Sequence, residues 1–335
     1  MAEWRDRLSH DAQEMIVRSA MPQHFEPMLA TLSDTPFSHA GWIFERKLDG
    51  IRLLVFREGD HIELLTRNGK ARNAHFPELV ELFARQPCRR FVLDGEVVAF
   101  DGKITRFARL QQRAGISDPD EARSSGIAIY FYAFDVPWLD GIDLRRVGLR
   151  ERKKVLRSAF GFGGGLRYTA HRNGSGQAYL AQACDKGWEG IVAKRADSVY
   201  RRGRSKRWLK LKCEHGQEFV IGGFTDPQGS RHGLGALLVG YYQNDALVYA
   251  GRVGTGFDDD ELARLHRALA AAERQTSPFA DPPAGSGDGL HWVTPERVVE
   301  IGFNEWTVDG KLRHPRYLGE RDDKAPQDVV RECPA

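Results

Sequence analysis

Cysteine is scarce: the four in 335 residues, Cys88, Cys184, Cys213 and Cys333, lie far apart with no Cys-x-x-Cys spacing. Neither a structural zinc site nor a disulfide framework is therefore expected, and a reducing compartment fits best. Long apolar runs are missing too. None is long enough to cross a bilayer, and Met1 to Ala20 interleaves Arg5, Asp6, Arg7, Asp11, Glu14 and Arg18 where a secretory signal needs an unbroken apolar core. With the cysteine usage, this points to a cytoplasmic location, nucleoid-associated if the chain is bacterial. There is no internal repeat or low-complexity tract. The glycine-rich stretch Gly161 to Gly165 has no Lys-Ser/Thr ending, which makes it a connector and not a Walker phosphate loop. Overall charge is also small, at +3, so any basic surface must be local.

It is local. Between Lys194 and Lys212 the chain carries Arg195, Arg201, Arg202, Arg204, Lys206, Arg207 and Lys210 against one acid, Asp197. Trp208 and the alternating Lys210 and Lys212 suggest an ordered, phosphate-binding strand in that run.

A content of 41% hydrophobic and 28% charged residues describes a globular chain, and its length suggests two domains. Residues 1–24 read as an amphipathic leader helix. Strands are expected at Trp42–Arg46, Ile51–Phe56, Ile62–Thr66, Phe91–Glu96, Val97–Phe100, Ile127–Phe134, around Ile191 and Val192, and at Trp208–Lys212. Helical spacing marks Phe76–Ala84, Arg106–Arg113, Arg150–Phe160 and Gln177–Asp185. After Glu218 the pattern changes to short strands divided by Gly, Asp and Asn turns, with one helix opened by Asp258-Asp259-Asp260-Glu261 and running to about Glu273. A barrel interrupted by a helix fits an OB fold. The hinge is placed at Cys213–Gln217, giving domains 1–214 and 215–335, and Ser277–Gly289 reads as a surface loop of the second.

One lysine is displayed. Lys47-Leu48-Asp49-Gly50-Ile51-Arg52 separates the apolar runs Trp42-Ile43-Phe44 and Leu53-Leu54-Val55-Phe56, so a tight Asp-Gly turn between strands would present the amine. Further motifs follow in order: Thr66-Arg67-Asn68-Gly69, Leu93-Asp94-Gly95-Glu96, Tyr132-Ala133-Phe134-Asp135, Glu189-Gly190-Ile191-Val192-Ala193-Lys194, Trp208-Leu209-Lys210-Leu211-Lys212 and Arg321-Asp322-Asp323-Lys324. Together they resemble the motif set of the covalent nucleotidyltransferases, specifically the ATP-dependent DNA ligases. The segments Gly251–Phe257, Glu305-Trp306-Thr307 and Leu312–Gly319 look like the ligase module of bacterial non-homologous end-joining ligases.

That resemblance implies an α+β architecture: a nucleotidyltransferase (adenylation) domain of antiparallel sheets with flanking helices, followed by an OB-fold β-barrel. It implies an enzyme that seals 3′-hydroxyl/5′-phosphate breaks in duplex DNA through a lysine-AMP intermediate, with ATP as AMP donor and Mg²⁺ or Mn²⁺. Lys47 would be the nucleophile, with Asp49, Lys210 and Lys212 catalytic. An amine of reference pKa about 10.4 needs help to lose its proton, and Lys210, Lys212 and a metal ion would favour its neutral form. Residues two apart on a strand share a face, which groups the two lysines. Glu189 and Glu96 would hold the metal, since Mg²⁺ prefers carboxylate and phosphate oxygens. Glu45, Arg52, Arg67, Glu96, Phe134, Lys194, Arg321 and Lys324 would bind the nucleotide: Phe134 stacks on adenine, Glu45 helps read it, Lys194 lies near the AMP phosphate, and the motif containing Arg321 and Lys324 orients the leaving pyrophosphate.

Expected partners are nicked or broken duplex DNA, the end-joining protein Ku, and separate end-processing polymerase or nuclease proteins, with the chain itself a monomer and no membrane involved. Two rivals remain from the sequence. An RNA ligase or capping-type nucleotidyltransferase shares the lysine-centred core, and an inactive DNA-binding scaffold would share the fold.

Overall fold

The computed structural model describes residues 4–227, 232–283 and 289–333. The chain divides into two compact units, one ending at Cys213 and the other covering Glu214–Cys333.

The first unit contains, in chain order, α1 (His10–Glu14), β1 (Val17–Arg18), β2 (Met28–Leu32), β3 (Trp42–Lys47), β4 (Ile51–Glu58), β5 (His61–Thr66), α2 (Pro77–Ala84), β6 (Arg90–Asp101), β7 (Ile104–Thr105), α3 (Phe107–Ala114), α4 (Pro119–Ser124), β8 (Ile129–Leu139), β9 (Ile142–Asp143), α5 (Leu149–Ala159), β10 (Leu166–Tyr168), β11 (His171–Asn173), α6 (Gly176–Asp185), β12 (Gly190–Arg195) and β13 (Gly203–Lys212). One sheet runs β1-β9-β8-β6-β4-β5, with β10 joined to β8 and β7 to β6; the other runs β11-β3-β12-β13-β2.

The sheets pack through Phe25, Met28, Ile43, Leu54, Phe56, Val92, Trp138 and Trp208. Each outer face is covered by helices. Phe76, Leu79 and Phe83 of the α2 region, Phe107 and Leu110 of α3, and Val155 and Leu156 of α5 close over the first sheet. Tyr179 and Ala183 of α6 meet Phe44, Ile191, Ala193 and Leu211 on the second. Period-two alternation thus sorts β13: Leu211 faces α6, while Trp208 faces the opposing sheet.

Several expectations change. Residues 4–24 do not form one helix; they hold a short turn at Arg5–Arg7, the five-residue α1 and then β1, which pairs with β9. Trp4, Leu8 and Ala12 supply a helical spacing that is satisfied by burial in the core. The two strands expected across Phe91–Phe100 are one twelve-residue strand, β6. The residues between β3 and β4 are not a hairpin turn, because these strands belong to different sheets. Gly50 is required by proximity: a Cβ there would stand 2.1 Å from the Val97 carbonyl oxygen.

The cysteines, in which no disulfide framework was expected, nevertheless form one bond. Cys184 at the end of α6 is bonded to Cys213 directly after β13, with their Cα atoms 5.3 Å apart. Their sequence separation of 29 concealed the pair, since only the packing of α6 on the back of β12 and β13 brings them together.

The second unit is the OB-fold domain. Its strands order as Ala246–Val253, Leu237–Gln243, His215–Thr225, Leu290–Val293 and Glu273–Arg274, while Val298–Phe303 pairs with both His215–Thr225 and Arg316–Arg321. No hydrogen-bonded ring closes among the described residues, in keeping with a partly open barrel. Asp258 caps the helix Asp259–Ala270 by accepting from Glu261 N at 2.8 Å. That helix ends before Glu273, which starts a strand. Of the loop expected at Ser277–Gly289, residues 284–288 lie outside the described residues.

Candidate active site

Strand register builds the site in levels across β3, β12 and β13. At the first level Lys47 and Lys212 both pair with Gly190; at the second Glu45 and Lys210 pair with Val192; at the third Ile43 and Trp208 pair with Lys194. Gly190 has φ +146°, and a Cβ there would stand 2.1 Å from the Leu211 carbonyl oxygen. A glycine is needed there, because any side chain would run into the backbone of β13.

Glu189, one residue earlier, is ion-paired with Lys47, and Lys212 approaches the same Oε1 at 3.7 Å. The three side chains are 21%, 20% and 10% exposed for Lys47, Glu189 and Lys212, so the cluster is accessible to a ligand. Burial alone would raise the Glu189 pKa, but Lys47, Lys212 and Lys210 together hold it below the usual carboxylate range. Glu189 is therefore an anion at neutral pH. The cations expected around Lys47 are joined by a carboxylate, and the amine begins as an ion-pair partner.

Deeper along the strands lies a second, buried cluster. Glu45 is ion-paired with Lys153 of α5 through one oxygen and with Lys194 through the other, at 2.6 Å for Lys194. All three are at most 3% exposed. Desolvation is the largest influence on Glu45, yet the two lysines outweigh it and lower its pKa; burial lowers that of Lys194 despite Glu45. The Lys194 ammonium lies 4.1 Å from the ring centroids of both Phe134 and Trp208.

The opposing sheet contributes Arg52, whose guanidinium binds Asp94 bidentately at 2.8 and 2.6 Å and lies 5.2 Å from the Phe134 centroid. Asp94 also accepts from Tyr200 Oη at 2.6 Å. Glu96 pairs in register with Arg52 on one side and Tyr132 on the other, and is half-buried. Asp49 accepts from Phe107 N at 2.9 Å, anchoring the loop after Lys47 to the start of α3. Arg67 has two buried guanidinium nitrogens, Nε and Nη2, with no hydrogen-bond partner.

These placements group the expected residues. Lys47, Glu189 and Lys212 form the accessible cluster, with Lys210 near enough to act on Glu189. Glu45 and Lys194 are buried, and the half-buried Phe134 and Arg52 adjoin them, with the Lys194 ammonium and the Arg52 guanidinium both over the Phe134 ring. Within the second unit Arg321 pairs with Glu300 and Asp323, and Lys324 with Glu218, at 2.9 Å in each case. Sequence reading found no signal for Lys153 or Tyr200, and Asp94 was read within its motif without a role of its own. Lys153 looks like one more surface charge in Glu151-Arg152-Lys153-Lys154, whereas Asp94, an acid within an apolar strand, was a signal that could have been used.

The donors fit the groups the motifs imply. Orphaned Arg67 nitrogens suit phosphate oxygens. The anionic Glu189 is a hard oxygen donor, and Mg²⁺ needs few protein ligands when phosphates supply the rest. Among the described residues there is no group of three or more His, Cys, Asp or Glu able to hold a metal unaided.

Two facing sheets that present a lysine beside a carboxylate and two further lysines, followed by an OB fold, define a covalent nucleotidyltransferase. Residues 27–212 match the family model of the ATP dependent DNA ligase domain, and residues 230–324 that of the ATP dependent DNA ligase C terminal region. The chain belongs to the ATP-dependent DNA ligase family. It is 38% identical over 324 residues to the multifunctional non-homologous end joining protein LigD of Pseudomonas aeruginosa, covering 95% of this chain and 38% of that protein. A DNA ligase of Natronomonas pharaonis is 33% identical over 297 residues, covering 85% of this chain and 52% of that one. A solved mycobacterial DNA ligase D complexed with ATP and MES superposes with a TM-score of 0.62 at 36% identity, covering 91% of this chain and 98% of that chain. The chain thus spans about two fifths of the length of the LigD relatives it matches. Among the described residues no helix is long and apolar enough to cross a membrane.

Proposed function

We propose that this enzyme joins 3′-hydroxyl/5′-phosphate breaks in duplex DNA, in end joining or repair, with Lys47 as the AMP acceptor. The observation that carries the reading is the accessible Lys47–Glu189–Lys212 cluster at the mouth of two packed sheets.

The Lys47 amine, once deprotonated, attacks the α-phosphorus of ATP. A nitrogen–phosphorus bond forms, the bond to the bridging oxygen breaks, and pyrophosphate leaves. Lys210 and Lys212 balance the negative charge that collects on the α-phosphate oxygens, and Arg67 offers its unpartnered nitrogens to a phosphate. Glu189, with Glu96, would hold Mg²⁺ or Mn²⁺, which when bound neutralises phosphate charge. A DNA 5′-phosphate oxygen then displaces Lys47 from phosphorus, and attack of the 3′-hydroxyl on the 5′-phosphorus expels AMP and closes the strand. Phe134 would stack on the adenine, and Glu45, held by Lys153 and Lys194, would help to read it.

The names of the LigD relatives support an end-joining setting, in which Ku and separate end-processing polymerase or nuclease proteins would be partners. ATP labelled at the α-phosphate tests the chemistry. Covalent label is expected on the wild type and not on Lys47→Ala, and a nicked duplex should discharge it. Labelled Lys47→Ala protein would reject the nucleophile, while label that persists with nicked DNA and leaves with nicked RNA would favour the RNA-ligase reading.

A further inference from the structure

At the end of β3 remote from Lys47 lies a surface cleft of about 410 Å³, lined by His39, Gly41, Trp42, Arg150, Arg195 and Asp197 among others. Five strand steps of about 3.3 Å separate Trp42 from Lys47, or roughly 17 Å, so the cleft is a separate place from the nucleophile. Its walls come from three distant segments that the backbone locks together. Trp42 is the register partner of Arg195, Ala196 N donates to the Gly41 carbonyl at 2.9 Å, and Arg150 N donates to the Ala196 carbonyl at 2.8 Å.

The side chains offer donors. Gly41 N donates to His39 Nδ1 at 2.9 Å, which leaves Nε2 as the protonated nitrogen of the neutral ring. Arg150 Nη2 donates to Asn173 Oδ1 at 3.1 Å, a neutral acceptor that leaves the positive charge uncompensated. Arg195 grips Asp197 at 2.9 and 3.1 Å. The Asp197 carboxyl is held below its usual range by that bond, with Arg207 adding to the effect. The cleft lining therefore carries two guanidinium groups and an imidazole N–H against one acid. Beyond Arg195, exposed Arg201, Arg202, Arg204 and Lys206 extend the positive surface.

We propose that this cleft grips the sugar-phosphate backbone of a nucleic-acid strand, away from the phosphate being joined. The volume exceeds what one phosphate needs and falls within the usual size of ligand clefts. The planar guanidinium forks match phosphodiester oxygens, and Trp42 gives a sugar or base an apolar wall. The assignment rests on the DNA-joining reading only in taking that strand to be the DNA under repair.

The test uses the full chain and nicked duplex DNA, with the dissociation constant measured over a series of salt concentrations. Arg150→Gln with Arg195→Gln should flatten the plot of log affinity against log salt by about 0.9 for each lost contact, about 1.8 in all, while labelling of Lys47 by ATP stays normal. Asp197→Asn, which releases Arg195, should tighten binding and steepen the slope, a gain that misfolding cannot imitate. Unchanged slopes in both variants with normal labelling overturn the proposal and leave nucleotidyl transfer standing; absent labelling of the wild type would instead overturn the functional reading. Inorganic phosphate and AMP separate the two sources of the chemistry. If either displaces the duplex from wild type more than chloride of equal ionic strength does, and not from the double variant, the cleft is a free-phosphate site and the strand assignment fails.

Discussion

Lys47 and Lys212 reach the same oxygen of Glu189 from two strands that are not neighbours. Between them runs β12, whose residue at that level is Gly190. One carboxylate thus stands among Lys47, Lys210 and Lys212, and the cluster carries an excess of positive charge of the kind a triphosphate would require. The carboxylate keeps three cations together in the absence of nucleotide, and like charges at such range would otherwise repel.

Glu189→Gln keeps the shape and removes the charge. Formation of the Lys47 adduct at saturating ATP should slow by about 100-fold or more, the scale of losing one preorganised electrostatic group. Rates of α-label incorporation decide it. A variant that labels as fast as wild type would mean that Glu189 only neutralises lysines in the resting protein.

Gly190→Ala meets two obstacles, a φ of +146° and an added Cβ 2.1 Å from the Leu211 carbonyl oxygen. Strain of this kind costs about 1–3 kcal/mol, and the clash should add to it by pushing β12 from β13. Urea unfolding is expected to show a lowered midpoint, together with slower adduct formation because Lys47 and Lys212 lose their common spacing. The nearby Gly187→Ala provides a contrast, since its Cβ would meet only Ile104 Cδ1 at 3.3 Å, leaving the backbone strain of φ +65°.

How much of this could be read beforehand depends on which interactions are local. The helices Phe76–Ala84, Arg106–Arg113, Arg150–Phe160 and Gln177–Asp185 were legible to within a residue or so because each buries one face and its apolar period shows in the chain. Lys210 and Lys212 were legible as a pair for the same reason, through the period of two. The connection after Lys47 was not. Asp49-Gly50 has the composition of a hairpin turn, but whether β3 and β4 pair or part into two sheets is settled by distant partners, β12 for one and β6 for the other. Lys153 was hidden similarly: its neighbours are charged, and only the packing of α5 aims that one lysine inward to Glu45. The Cys184–Cys213 bond is a third case, fixed by how a helix lies on the back of a sheet.

Acid–base behaviour of the OB-fold unit should follow His291. Its ring stacks on Phe224 with centroids 4.6 Å apart, and its nitrogens face Asp226 at 2.8 Å and Glu273 at 3.4 Å. Burial works against the charged ring, but the two carboxylates prevail and raise its pKa above 6.5. A raised histidine binds its proton more readily when folded, so its contribution is complete below pH 6.5 and is lost as pH climbs through the folded value. Urea midpoints measured from pH 6 to 8.5 should decline more in wild type than in His291→Gln. Equal slopes would show that the histidine makes no linked contribution.

The Glu45–Lys153–Lys194 cluster gives the most discriminating stability experiment, because its members are nearly sealed from solvent. Lys153→Met keeps the apolar stem and deletes the ammonium, leaving Glu45 with Lys194 alone and the Thr169 carbonyl without the bond it accepts from Lys153 at 3.0 Å. Breaking a buried ion pair by removing one partner costs about 3–5 kcal/mol, so urea unfolding should shift accordingly. Adding Glu45→Gln removes the uncompensated anion, and the double variant should lose less than the sum of the two single ones. The pH dependence separates an electrostatic cause from lost packing. In wild type the Glu45 carboxyl is held below 4.5, so its stabilisation is complete above that value and is lost as pH falls through the folded one. With Lys153 gone, that loss should begin at a higher pH, visible between pH 6 and 4. A variant that is weakened equally at every pH would mean that Lys153 fills space and does not hold the Glu45 carboxylate.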